Sequence, residues 1–75
     1  MNNTYKTKDI GEASTLLTKG FEPIQINRKN NVCWFVFDET AEKVAHSYWF
    51  GSVAVNAKDY YESFQTLKRT IFSGT

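Results

Sequence analysis

The chain has one cysteine, Cys33, and one histidine, His46, the residue types from which a thiol nucleophile and its base are commonly built. Such a pair works only within hydrogen-bond reach. Cys33 shares strand parity with Phe35 and Phe37, which predicts a buried, inert thiol. His46 lies about 130° around its predicted helix from the centre of the apolar stripe, at about 100° per residue, and is expected to face solvent. Cysteine–histidine catalysis is therefore not expected. A metal site fares no better, because the pair supplies only half of the roughly four ligands that zinc takes. No catalytic residue and no metal ligand is assigned.

The carboxylates are placed for capping. Asp9, Asp38 and Asp59 each fall at the start of a predicted helix, where negative charge meets free backbone N–H groups. Glu39 and Glu42 stand three apart, the spacing of a paired-carboxylate site. Nothing else of catalytic character converges on them, so a solvated helix face is the simpler reading. Gly11, Gly20, Gly51 and Gly74 are isolated, which excludes a glycine-rich phosphate loop. No cofactor is expected. A helix N-terminus can still bind an anion through its amides. The last predicted helix starts at neutral Asn56 with Lys58 close by, so Asn56 and Lys58 form a candidate anion site. Plain capping by Asn56 is the competing expectation.

The remaining chemistry is aromatic and basic. Trp34 projects from a mixed strand face, beside Asn27 and Gln25. Lys6, Lys8, Arg28, Lys29, Lys68 and Arg69 supply cations in short clusters. A sheet surface with an exposed ring and flanking cations is one way single-stranded nucleic acid is held, with bases stacked and phosphates paired. The candidate nucleic-acid or partner-binding residues are Trp34, Asn27, Gln25, Lys6, Lys8, Arg28 and Lys29. A net charge of +1 is a small electrostatic footprint for that role. The competing expectation is that a helix or a second subunit covers Trp34.

The elements that must position these residues follow from patterning. Residues 4–8 alternate and carry β-favouring Thr and Tyr. Asp9 reads as an N-cap, with Glu12 three residues on as its capping-box partner. Ile10, Ala13, Leu16 and Leu17 repeat at helical spacing. Gly20 and Phe21 then read as C′ and C″ of a Schellman motif. Residues 22–37 predict a hairpin, because Asn30-Asn31 suits a type I′ turn. That register sets Ile26 opposite Phe35 and Ile24 opposite Phe37, sharing a core face with Cys33. Gln25, Asn27, Val32, Trp34 and Val36 take the other face. Ala41, Val44, Ala45, Tyr48 and Trp49 mark a second helix. Val53-Ala54-Val55 predicts a short strand. Ala57, Tyr60, Tyr61, Phe64, Leu67, Ile71 and Phe72 mark the longest helix.

Size bounds the whole. The chain has 75 residues, 41% hydrophobic and 16% aromatic, enough for one domain spanning 1–75 and too apolar for a disordered tail. A single cysteine excludes a disulfide framework. No apolar run approaches the roughly 20 residues of a membrane span, and no signal-peptide core is visible, so a cytoplasmic location is expected. For a domain this small, burial and chain entropy nearly cancel. Trp34, Tyr48, Trp49 and Phe50 are many rings to hide, which predicts a homodimer.

The ordered residues Tyr5-x-Thr7-x-Asp9, Leu16-Leu17-Thr18-Lys19-Gly20-Phe21, Cys33-Trp34-Phe35-Val36-Phe37, Val55-Asn56-Ala57, Leu67-Lys68 and Ile71 resemble a family of small uncharacterised domains of bacteria, phages and mobile elements. The resemblance spans almost the whole chain. It implies a fold and a phage or mobile-element setting, and it carries no catalytic residue. Gly11 departs from it, where a bulkier residue is expected. A glycine there should weaken the first helix by about 1 kcal/mol.

The expected fold is α+β, in β-α-β-β-α-β-α order, with helices covering at least one face of a small sheet built around the hairpin. The expected function is that of a non-enzymatic accessory module whose Trp34 face and basic clusters contact nucleic acid. The alternatives are a protein-interaction or homodimer module engaging a host protein, and a nucleotide- or anion-sequestering protein.

Overall fold

The computed structural model describes residues 3–49, 51 and 54–73. In chain order the elements are β1 (Thr4–Thr7), α1 (Ile10–Thr18), β2 (Gln25–Lys29), β3 (Val32–Asp38), α2 (Ala41–Trp49) and α3 (Ala57–Ser73). The fold is α+β, with a three-stranded antiparallel sheet in the order β1-β3-β2. The hairpin is β2–β3, and its second strand is the central one. Asn30 and Asn31 turn it with φ of 54° and 67°, the paired left-handed geometry of a type I′ turn.

Helix α1 ends as its sequence demands. The Phe21 N–H donates to the Leu16 carbonyl at 3.0 Å and the Gly20 N–H to that of Leu17 at 3.0 Å, with Gly20 at φ 101°. These are the two bonds of a Schellman motif, and they need a residue free of Cβ strain at Gly20. At its other end, the Glu12 N–H donates to Asp9 Oδ1 at 2.8 Å. Asp38 acts one step earlier than expected. It accepts from the Thr40 N–H and hydroxyl, at 2.9 and 2.7 Å, and so braces the turn into α2. Those two bonds hold the Asp38 carboxyl below its usual range.

Register places Ile26 opposite Phe35, Tyr5 opposite Phe37, Thr7 opposite Phe35 and Arg28 opposite Cys33. Directly opposed residues share a face. This face is roofed by the helices: Ala13 and Leu16 of α1, Ala41 and Ala45 of α2 and Leu67 of α3 close on Phe35 and Phe37. Thr18 Oγ1 also donates to Ser63 Oγ at 2.9 Å, tying α1 to α3.

Three expectations are corrected. The sequence predicts a strand at Val53-Ala54-Val55. Ala54 and Val55 form none, and Val53 lies outside the described residues, so the order is β-α-β-β-α-α. Ile24 does not take the expected place opposite Phe37: the register begins at Gln25, the Ile24 N–H donates to the Val36 carbonyl at 2.7 Å, and Ile24 is 62% exposed. It sits in a bend before β2, on an outer strand. Cys33 is half-buried where full burial was expected, because the turn end of the hairpin opens onto a depression lined by Arg28, Lys29 and Ile71.

Candidate functional site: the open face of the sheet

The second face of the sheet carries Lys6 and then Lys8 from β1 and its end, Val32, Trp34 and Val36 from β3, and Gln25, Asn27 and Lys29 from β2. Across the strands, Lys6, Val36 and Gln25 form one row. Asn27 pairs with Trp34, and the Lys8 Nζ stands 5.8 Å from the Trp34 ring centroid on the other side. That distance is within cation–π range.

Among the described residues, the helices leave this face open. Val36 is buried to 4% exposure but is absent from the core cluster that α1, α2 and α3 build with Phe35 and Phe37. Its cover comes from its own face, where Lys6 and Gln25 flank it on the neighbouring strands. Trp34 is half-buried in the same way. A shallow depression of about 340 Å³ runs beside it, lined by Lys6, Asn27, Lys29 and Trp34.

The three strands carry Lys6, Arg28 and Lys29 against one carboxylate, Asp38, at the far corner beside Thr4, and Lys8 follows β1 directly as Glu39 follows β3. Asp9, Glu12, Glu42, Asp59 and Glu62 belong to the helices or to the turns that bound them, but so do Lys19, Lys43, Lys58, Lys68 and Arg69, so the excess of positive charge lies on the sheet while the helical layer is balanced.

Of the predicted binding residues, Trp34, Asn27, Gln25, Lys6, Lys8 and Lys29 come together on this face. Arg28 does not. Opposed to Cys33, it points to the helix side at the hairpin end and lines a separate depression with Cys33 and Ile71. The candidate anion site is occupied by its own cap: Asn56 Oδ1 accepts from the Lys58 and Asp59 amides at 3.0 and 3.1 Å. His46 is exposed on α2, away from the Cys33 depression. No group of three or more potential metal ligands occurs among the described residues.

Sequence reasoning missed Glu12. It reads as a capping-box residue reaching back to the Asp9 N–H, but that N–H donates to Thr7 Oγ1 at 3.1 Å. The Glu12 carboxylate turns inward and is 2% exposed. Its Oε1 accepts from Thr7 Oγ1 at 2.7 Å and Trp49 Nε1 at 3.0 Å, and its Oε2 accepts from the Tyr5 hydroxyl. One carboxylate thus joins β1, α1 and α2. Burial first, and then the Glu12 hydrogen bond, hold the Tyr5 phenol above its ordinary value. The available signal was Tyr5-x-Thr7, whose alternation sets two hydroxyls on the side that Glu12 faces.

The fold and these residues can be set beside known proteins. The chain belongs to the family described as a domain of unknown function (DUF5659), whose model matches residues 2–73. No curated protein and no solved structure matches it. Family membership therefore adds no assigned chemistry, and the geometry of the open face is what bears on function.

Proposed function

We propose that this DUF5659 domain is a non-enzymatic accessory module that holds nucleic acid against the open face of its sheet, in a cytoplasmic, phage or mobile-element setting. The observation that carries this reading is the pairing of Trp34 with Lys8 at 5.8 Å on a face that gathers Lys6 and Lys29. Cations pair with phosphates, and the ring and amides meet bases. Anisotropy titrations of fluorescein-labelled oligonucleotides, single- and double-stranded, test it. Binding at low salt should weaken as salt rises, because lysines displace counterions from phosphates. Lys8→Ala should lower affinity and flatten the salt dependence. No binding of either form by the folded protein would end this reading.

A second reading, a protein-interaction or homodimer module engaging a host protein, is favoured by one observation. Trp49, Tyr61 and Phe72 are 59%, 62% and 78% exposed on the helices. Such a contact would be nearly indifferent to salt. Light scattering at tens of micromolar should then give a species heavier than the 8.7 kDa chain. A clean monomer would remove the homodimer.

A further inference from the structure

The open face bears on which form of nucleic acid it suits. A single-strand platform uses several rings on which successive bases stack. Among the described residues this face has one ring, Trp34, and the Lys8 ammonium stands over it. Its cations are arranged differently from a one-backbone track. Lys6 and Lys8 flank one side, on β1 and its end, and Lys29 flanks the other, on β2. Between them, on β3, stand the half-buried Val32 and Trp34, with Val36 buried in the same row. A duplex presents two phosphate walls with base edges between them, and this pattern is complementary to that arrangement.

Dimensions agree. Strands lie about 4.8 Å apart, so the outer strands of a three-stranded sheet are separated by roughly 10 Å. The major groove of B-form DNA is about 12 Å wide and admits strands. Gln25 and Asn27 alternate on β2, which sets them about 6.8 Å apart. That is the axial rise of two base-pair steps of about 3.4 Å each. The side-chain amides of Asn and Gln match adenine N6 and N7, and apolar groups meet the thymine methyl. The major groove of A-form RNA is too deep and narrow for side chains to read.

We infer that the sheet enters the major groove of duplex DNA, with Lys6 and Lys8 on the phosphates of one wall, Lys29 on the other, and Asn27 and Gln25 reading adenine edges. This rests on the nucleic-acid reading of the same face and names its ligand.

The test compares a labelled 20-base-pair duplex with the same sequence as a single strand, using the full chain, with circular dichroism confirming that each variant is folded. The duplex should bind at least tenfold more tightly. Three phosphate contacts predict a slope of log affinity against log salt of about −2.7, and each of Lys6→Ala, Lys8→Ala and Lys29→Ala should reduce it by about 0.9. Lys43→Ala, on α2, should leave it unchanged. Methyl green, a major-groove ligand, should compete, and netropsin, a minor-groove ligand, should not. Among duplexes selected from a random pool, Asn27→Ala should lose about tenfold in discrimination for adenine. Tighter binding of the single strand, or competition by netropsin in place of methyl green, would overturn the groove assignment while leaving nucleic-acid binding intact. No binding of either form would overturn both.

Discussion

Gly11 shows how a local rule can reverse in context. Helix propensity says that alanine there should gain about 1 kcal/mol. A Cβ at Gly11 would stand 2.8 Å from Tyr48 Oη, 3.2 Å from Asp9 Oδ1 and 3.4 Å from Tyr60 Oη. The expected weakening of α1 is thus replaced by a packing requirement: α2 and α3 bring two phenols onto a bare backbone. Gly11→Ala should destabilise by about 1–3 kcal/mol, as overpacking does. In a Tyr48→Phe background, which removes the nearest oxygen, the same change should cost much less. Urea denaturation of the four proteins in this cycle checks it, and equal costs in both backgrounds would refute the contact. Glu12 makes a parallel case. Glu12→Ala orphans the Tyr5, Thr7 and Trp49 donors and should cost about 3 kcal/mol, whereas Glu12→Gln should cost less. The glutamine oxygen can keep Thr7 and Trp49, and its nitrogen can donate to the Tyr5 oxygen. The phenols also set an alkaline limit. Burial, then Glu12, raises Tyr5 above its ordinary 10.0, and burial, then Asp9, raises Tyr48 above the same value. A phenol raised in the folded state contributes in full below its unfolded value and loses that contribution as pH climbs through the folded one. Urea midpoints should therefore fall from about pH 10 upward, less steeply in Tyr5→Phe.

At the level of elements, what the sequence made legible was local. Asp9, Gly20 and Asn56 act within a few residues of themselves, and each cap stands where its spacing puts it. Asn30-Asn31 fixed the hairpin and, through it, Ile26 opposite Phe35. Parity then separated the Phe35 face from the Trp34 face. What was not legible depended on contacts across the fold. Ile24 continues the alternation in the sequence, but the strand begins one residue later and the Ile24 N–H bonds to Val36 in place of Phe37. Val53-Ala54-Val55 has strand composition, but Ala54 and Val55 join no strand. Glu12 has the spacing of a capping box, and only the arrival of β1 and α2 gives its carboxylate other donors. Most of the open face could be read because alternation is local, while Arg28 fell on the opposite side for the same reason. The turn itself can be tested. Asn31→Gly keeps positive φ without a Cβ and should be neutral or stabilising by a few tenths of a kcal/mol. Asn30→Val should cost about 1–2 kcal/mol, because a β-branched residue resists the left-handed region. Thermal denaturation of both variants separates them, and equal effects would argue against a type I′ turn.

Across the whole molecule, the sheet carries the excess of positive charge and the helices back it with nearly balanced charge, with one core between them. The order β1-β3-β2 also dictates when the parts can assemble. The strands β2 and β3 are joined by a two-residue turn, so their pairing closes almost no loop. Strand β1 reaches the other edge of β3 only after the chain has travelled from Thr7 through α1 and the hairpin to Phe35. Closing that longer loop carries a larger entropy cost. The hairpin with its helical cover is then expected to form the folding nucleus, with β1 docking late and bringing Tyr5 and Thr7 to the Glu12 carboxylate after the rate-limiting barrier. Stopped-flow kinetics should show Thr7→Ala accelerating unfolding with little change in folding rate, a φ-value near 0. Phe35→Leu should slow folding, with a φ-value of about 0.5 or more. Lys6 and Lys8 travel with β1, so the proposed nucleic-acid face should be completed only in the last step of folding, and a partly folded chain would lack two of its three lysines.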